Sequence, residues 1–149
     1  MKKLLLSMVL LSLFVGGCKK EETTVPKSKT ELLCAHYWKV VSLTVNPPLD
    51  IDGTPVSDLL SIMDDCNKDD LVKYNTDKTL IYDEGATKCD PASPQTSSGT
   101  WSFNSDETIL TEDDEDLSLI ELNESNLKLK IVQTIAEVDY TYTITYQKN

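Results

Sequence analysis

Arginine is missing from this chain, and histidine occurs once, at His36. Without arginine there is no forked donor for phosphate or carboxylate, and the cations are fourteen lysines set against twenty-five acids. That balance, formally −11, repels polyanions and excludes nucleic acid as a partner. With a single imidazole, neither a catalytic triad nor a histidine zinc site can be assembled, because Cys34 and His36 lack the spacing and the companions of such a site. His36 reads as a surface or capping residue. No catalytic residue, metal or cofactor is assigned, and the chain is expected to be non-enzymatic. Long apolar runs are also scarce. Leu4 to Val15 is well short of the ~20 residues that cross a membrane as a helix.

What that run does is set by its flanks. Met1, Lys2 and Lys3 give a basic start, and Gly16 and Gly17 supply small residues at the far end, so residues 1–17 read as a secretion signal. The next residue is Cys18, and "VGGC" resembles the lipobox of bacterial lipoproteins. The resemblance implies that the Cys18 thiol carries a diacylglycerol and that the membrane is a partner through this anchor. Each buried methylene contributes about 0.8 kcal/mol, so several acyl chains on one residue hold firmly. Lys19, Lys20, Glu21 and Glu22 resemble the basic-then-acidic signal of Bacteroidota lipoproteins, which implies the outer membrane and display at the cell surface. Residues 18–29 are polar enough to be a flexible tether. Removing residues 1–17 takes away two lysines and no acid, moving the charge from −11 to −13. Residues 30–149 suffice for one domain.

In an exported chain, three cysteines remain after Cys18. "VKYNTDKTLIY" reads as a hairpin turning at Asn75 to Lys78, and Cys66 and Cys89 lie nearly equidistant from that turn. A bridge between them would clasp the open end of the hairpin, and Cys34 is left as a buried small apolar residue.

Apolar and polar residues alternate through the rest of the chain, which is strand periodicity. Tyr140, Tyr142, Ile144 and Tyr146 share one face while Thr141, Thr143 and Thr145 share the other. Leu127, Leu129 and Ile131 alternate with lysines in the same way. Eight strands are expected: Tyr37 to Val45, Leu71 to Tyr74, Thr79 to Glu84, Gly99 to Phe103, Thr108 to Glu112, Leu117 to Leu122, Leu127 to Ile135 and Val138 to Gln147. "NTDK", "NSDE" and "NES" between neighbours favour antiparallel hairpins in sequential order. A one-sided meander must cover its apolar face, and closure into a barrel does so. Two segments break the period. Val56, Leu59, Leu60 and Met63 form a helical stripe, with Thr54 as cap and Pro55 in the first turn. A second short helix begins near Thr30 and carries Leu32 and Leu33.

On "HYWKVVSLTVN", "DDCNKDDLVKYNTDKTLIYDEGATKCD" and "GTWSFN", the chain resembles the bacterial lipocalin-like lipoproteins. The resemblance implies an all-β, eight-stranded antiparallel up-and-down barrel with one or two short helices. His36 stands where lipocalins usually carry the glycine of Gly-x-Trp.

Alternation would bring Trp38, Tyr74, Tyr82, Trp101, Phe103, Tyr142 and Tyr146 together inside the barrel as a ligand-binding lining. Eight strands enclose a space that either fills with side chains or holds one small guest, and periodicity leaves both open. The leading expectation is a carrier of a small, partly hydrophobic ligand, with tyrosine hydroxyls orienting it. The alternative is a surface module with a filled barrel, whose loops, including Gly85 to Ser98, contact a protein that the sequence does not identify. "EDDED", Glu112 to Asp116, is expected at a hairpin tip with its charges in water. "DIDG" resembles the middle of a calcium loop, but its first and twelfth ligand positions fall on Pro48 and Leu59.

Overall fold

Short polar side chains bend this chain back on itself. Asn104 Oδ1 accepts the Thr108 and Ile109 N–H groups at 2.8 and 3.0 Å, and Asn123 Oδ1 accepts those of Ser125 and Asn126 at 2.8 and 2.9 Å. Asp77 holds the Thr79 N–H at 3.0 Å, and Asp113 and Asp114 take the positive φ values of a two-residue hairpin turn. Each turn leaves its flanking strands antiparallel and adjacent. The computed structural model describes residues 26–149, so the signal, Cys18 and most of the tether lie outside the described residues.

The strands are β1 (Tyr37–Ile51), β2 (Thr54–Asp58), β3 (Leu71–Tyr74), β4 (Thr79–Asp83), β5 (Thr96–Phe103), β6 (Ile109–Glu112), β7 (Glu115–Leu122), β8 (Asn126–Ile135) and β9 (Val138–Lys148). From β3 to β9 each pairs with its sequence neighbour, and β1 joins β3 on one side and β9 on the other. The result is the expected closed eight-stranded up-and-down barrel, with β2 as an added ninth strand on the outer half of β1. The β1–β9 ladder runs from Trp38↔Lys148 to Asn46↔Thr141 and stops where Pro47 and Pro48 offer no N–H.

The helix expected from Thr54 to Met63 is not formed. Ile51, Asp52, Gly53 and Thr54 make a tight hairpin instead, with Asp52 and Gly53 at φ 53° and 82° and the Gly53 N–H held by Asp50 Oδ1 at 2.7 Å. Asp-Gly between extended segments is a hairpin signal that outweighs one helical stripe. Only a single 3-10 turn, Leu60–Ile62, remains of the helix. Pro55 is tolerated because β2 is an edge strand.

Two bulges keep the inner face apolar where strict alternation would fail. In β1 the register slips between Val40 and Ser42, leaving Val41 outside while Val40 and Leu43 face inward opposite Tyr146 and Ile144. In β7 it slips between Leu119 and Glu121, leaving Ile120 52% exposed.

One barrel end is plugged. The second expected helix is present as α1 (Lys29–Cys34), with Ser28 and Glu31 forming a reciprocal capping box. It drives Leu33 into the barrel, where it is fully buried and contributes roughly 1.5–3 kcal/mol. The Trp38 indole N–H donates to the Leu33 carbonyl at 2.8 Å, and Lys73 and Lys29 donate to the carbonyls of Cys34 and Glu107. Cys34 is half-buried with a free thiol whose pKa is pushed up by burial.

A direct check on the second bulge compares neighbours. Leu129→Ala, at a fully buried site, is expected to cost about 2–5 kcal/mol by urea unfolding, whereas Ile120→Ala costs under about 0.5 kcal/mol. Similar losses for both would contradict the inward and outward assignments.

Candidate functional site

Above the plugged half, the short strands β3 and β4 leave the wall low, and two loops close over the gap. Val40 pairs across with Tyr146, and Val72 with Tyr82, placing four inward side chains as a floor. The β2–β3 connection contributes Met63, Asn67 and Asp70 to the rim, and the β4–β5 loop contributes Ser93 and Pro94. Together these enclose a cavity of about 440 Å³, within the roughly 300–1,000 Å³ of small-molecule sites.

The rim is fastened. Cys66 and Cys89 form the expected disulfide, joining the two loops across a sequence separation of 23, a closure that contributes about 3 kcal/mol in the chain-entropy model. Beside it Asp69 Oδ2 accepts the Ala86 and Thr87 N–H groups, both at 2.9 Å. Gly85 sits at φ 63°, where a Cβ would run into the Asp69 carbonyl oxygen, so this crossing requires glycine.

Charge in the cavity is all of one sign. Asp70, Asp83 and Glu84 line it, and among the described residues no lysine joins them. Asp83 Oδ1 accepts the Gly85 N–H and the Gln95 amide. Asp70 Oδ1 is sealed from solvent without a hydrogen-bond partner. Burial pushes the Asp70 carboxyl pKa up, and the charges of Glu84, Asp69 and Asp83 push it further.

The expected water-facing acidic tip needs correction at Glu112. In phase with Leu110, this side chain points into the barrel and accepts the Tyr74 hydroxyl at 2.5 Å. Burial raises its pKa, and the Tyr74 bond partly opposes the rise. The phenols of Tyr82 and Tyr146 are pushed up by burial and then by Glu112, so both line the cavity as neutral hydroxyls. Asp113 turns back from the tip to accept the Thr100 N–H at 2.7 Å and the Tyr82 hydroxyl at 3.2 Å.

Of the seven aromatics expected to form one lining, Tyr82 and Tyr146 line this cavity. Trp38, Tyr74, Trp101 and Phe103 pack beneath it as filled core, with Tyr74–Trp101 and Trp101–Phe103 edge-to-face at 5.8 and 5.5 Å. Tyr142 is half-buried between Val45 and Ile131 and does not line the cavity. His36 sits edge-on to Trp38 at 6.2 Å, by the plugged end. Val40 and Val72 were legible as inward positions in phase with Trp38 and Tyr74. Nothing in the sequence distinguished Asp70 from the other acids, because its place depends on a disulfide-tethered loop.

A family model described as lipocalin-like domain matches residues 35–129, which span β1 to the middle of β8 and every lining residue except Tyr146. No curated protein matches the chain. A barrel of this kind fits a ligand-binding or carrier role.

The Glu112 environment gives a pH test. Its folded pKa lies above the ordinary 4.5, so its contribution is full below about pH 4.5 and is lost as pH rises through the folded value. Glu112→Gln keeps an acceptor for Tyr74 without that loss. The stability of the variant relative to the wild type should therefore climb between about pH 4 and pH 7 in urea titrations, and a flat difference would contradict the burial of this carboxyl.

Proposed function

The chain belongs to the lipocalin-like domain family, and from that membership and the cavity at the barrel's open end we propose that it is a non-enzymatic carrier or binder of a small, partly hydrophobic molecule. The observation that supports this best is the division of the interior. The lower half is packed with aromatics and leucines above α1, while the upper half keeps space under a fastened rim. Burial of the guest's apolar surface against Val40 and Val72 supplies the driving force, at about 25 cal/mol per Å². The neutral hydroxyls of Tyr82 and Tyr146 orient it.

The reading includes an address. The sequence ahead of the barrel supports a lipid anchor on Cys18, a polar tether, and a place at the outer membrane facing the cell exterior. The barrel would then meet its guest at the membrane's edge.

N-phenyl-1-naphthylamine, a neutral fluorophore, tests the cavity in the Cys18→Ala chain, which lacks the acyl acceptor. Saturable one-site binding is expected, and Val72→Phe, which fills the floor, should weaken it about tenfold or more while leaving the circular dichroism unchanged. Absence of saturable binding would sink the carrier reading. For the anchor, the wild type should partition into the detergent phase on Triton X-114 separation and Cys18→Ala into the aqueous phase; equal partition would remove it.

A further inference from the structure

The cavity's polar groups are unevenly chosen. Its lining holds three carboxylates, on Asp70, Asp83 and Glu84, several neutral hydroxyls and, among the described residues, no cation. The lysines near the rim in sequence are occupied elsewhere: Lys68 pairs with Asp65 at 2.8 Å, Lys73 donates to the Cys34 carbonyl at 2.6 Å, and Lys88 donates to the carbonyls of Pro91 and Ser93. Asp83 is satisfied by neutral donors, the Gly85 N–H and the Gln95 amide. Asp70 is not satisfied, since Oδ1 is closed off from water and meets no donor.

A carboxylate oxygen closed off from water, beside the charges of neighbouring acids, raises the free energy of the folded chain unless a positive group reaches it. Two other acids are also withdrawn from solvent, but each has donors: Glu112 accepts the Tyr74 hydroxyl, and Asp69, whose Oδ1 is likewise buried without a partner, accepts the Ala86 and Thr87 N–H groups through Oδ2. Asp70 and Glu84, in phase with Val72 and Tyr82, sit over the apolar floor of Val40 and Val72, so what completes them must also bring hydrocarbon. A bare inorganic cation would leave the floor empty, and a carboxylate or phosphate head would be repelled at the rim.

We propose that the cavity selects amphiphiles with a cationic head, a protonated amine or an amidine on an apolar tail, with the head at Asp70 and Glu84 and the tail on Val40 and Val72. This rests on the cavity-binding reading and specifies its ligand class. The head supplies the N–H donors that Asp70 lacks, and the tail displaces water from the valines. The raised pKa of Asp70 agrees with the same picture, because its causes are burial and like charges that a bound ammonium would offset.

Three probes of equal chain length and different heads separate the outcomes: octylamine, octanol and octanoate, titrated calorimetrically into the Cys18→Ala chain at neutral pH. Octylammonium should bind about tenfold or more tighter than octanol, with octanoate weakest, and added salt should narrow the gap. Asp70→Asn should bring octylammonium to within about threefold of octanol, with an unchanged circular dichroism spectrum reporting an intact barrel. Glu84→Gln provides the same comparison should Asp70→Asn fail to fold. Octanol or octanoate binding as tightly as octylammonium, or a preference that survives both substitutions, overturns the charge selection and leaves the cavity-binding reading standing. Failure of all three probes to bind overturns both.

Discussion

Every feature of the interior depends on the ladder between the first and last strands of the barrel. Once β9 lies along β1 from Trp38 to Asn46, the inward faces of all eight barrel strands share one enclosed volume, and every second side chain is committed to it. Without that ladder, β1 and β9 would be open edges and their apolar faces would lie in water. The bulges at Val41 and Ile120 are local adjustments to this constraint, since each discards one residue outward so that the next apolar residue returns inward.

Closure alone does not decide between a solid and a hollow barrel. Here the two ends differ because the chain treats them differently. The lower end receives α1, whose capping box fixes a short helix in place and whose Leu33 meets the Trp38 indole. The upper end receives two loops, one carrying the short 3-10 turns Leu60–Ile62 and Asp65–Asn67, held to each other by a disulfide and by the Asp69 contacts to Ala86 and Thr87. Loops fastened at their margins span a space without filling it. The carboxylates they carry give that space its charge, and Glu112 beneath adds another acidic group beside the tyrosine hydroxyls.

The sequence carried the architecture well and the site poorly, for a physical reason. Period-two alternation and polar turns are local, so β3, β4, β6 and β9 could be placed within a residue or so from pattern alone. The Cys66–Cys89 pair was legible because the hairpin turn lies midway between them. The Thr54–Met63 helix was misread because a four-residue stripe competed with an Asp-Gly turn two residues upstream, and the turn prevailed. Aromatic residues announced an interior without saying which half they filled. That depends on where α1 docks, a contact between distant parts of the chain. Glu112 was readable as inward from its phase with Leu110, but Asp70 was hidden in a uniformly acidic background on a loop whose place no spacing reports.

The central claim is that the barrel is solid below and hollow above. It is tested most directly by intermolecular nuclear Overhauser effects from the methyl end of a bound octyl chain. Contacts to the methyls of Val40 and Val72 and to the ring of Tyr146, with none to Leu33 or Leu127, are the predicted result. Contacts to Leu33 or Leu127, or none to the two valines, would contradict it.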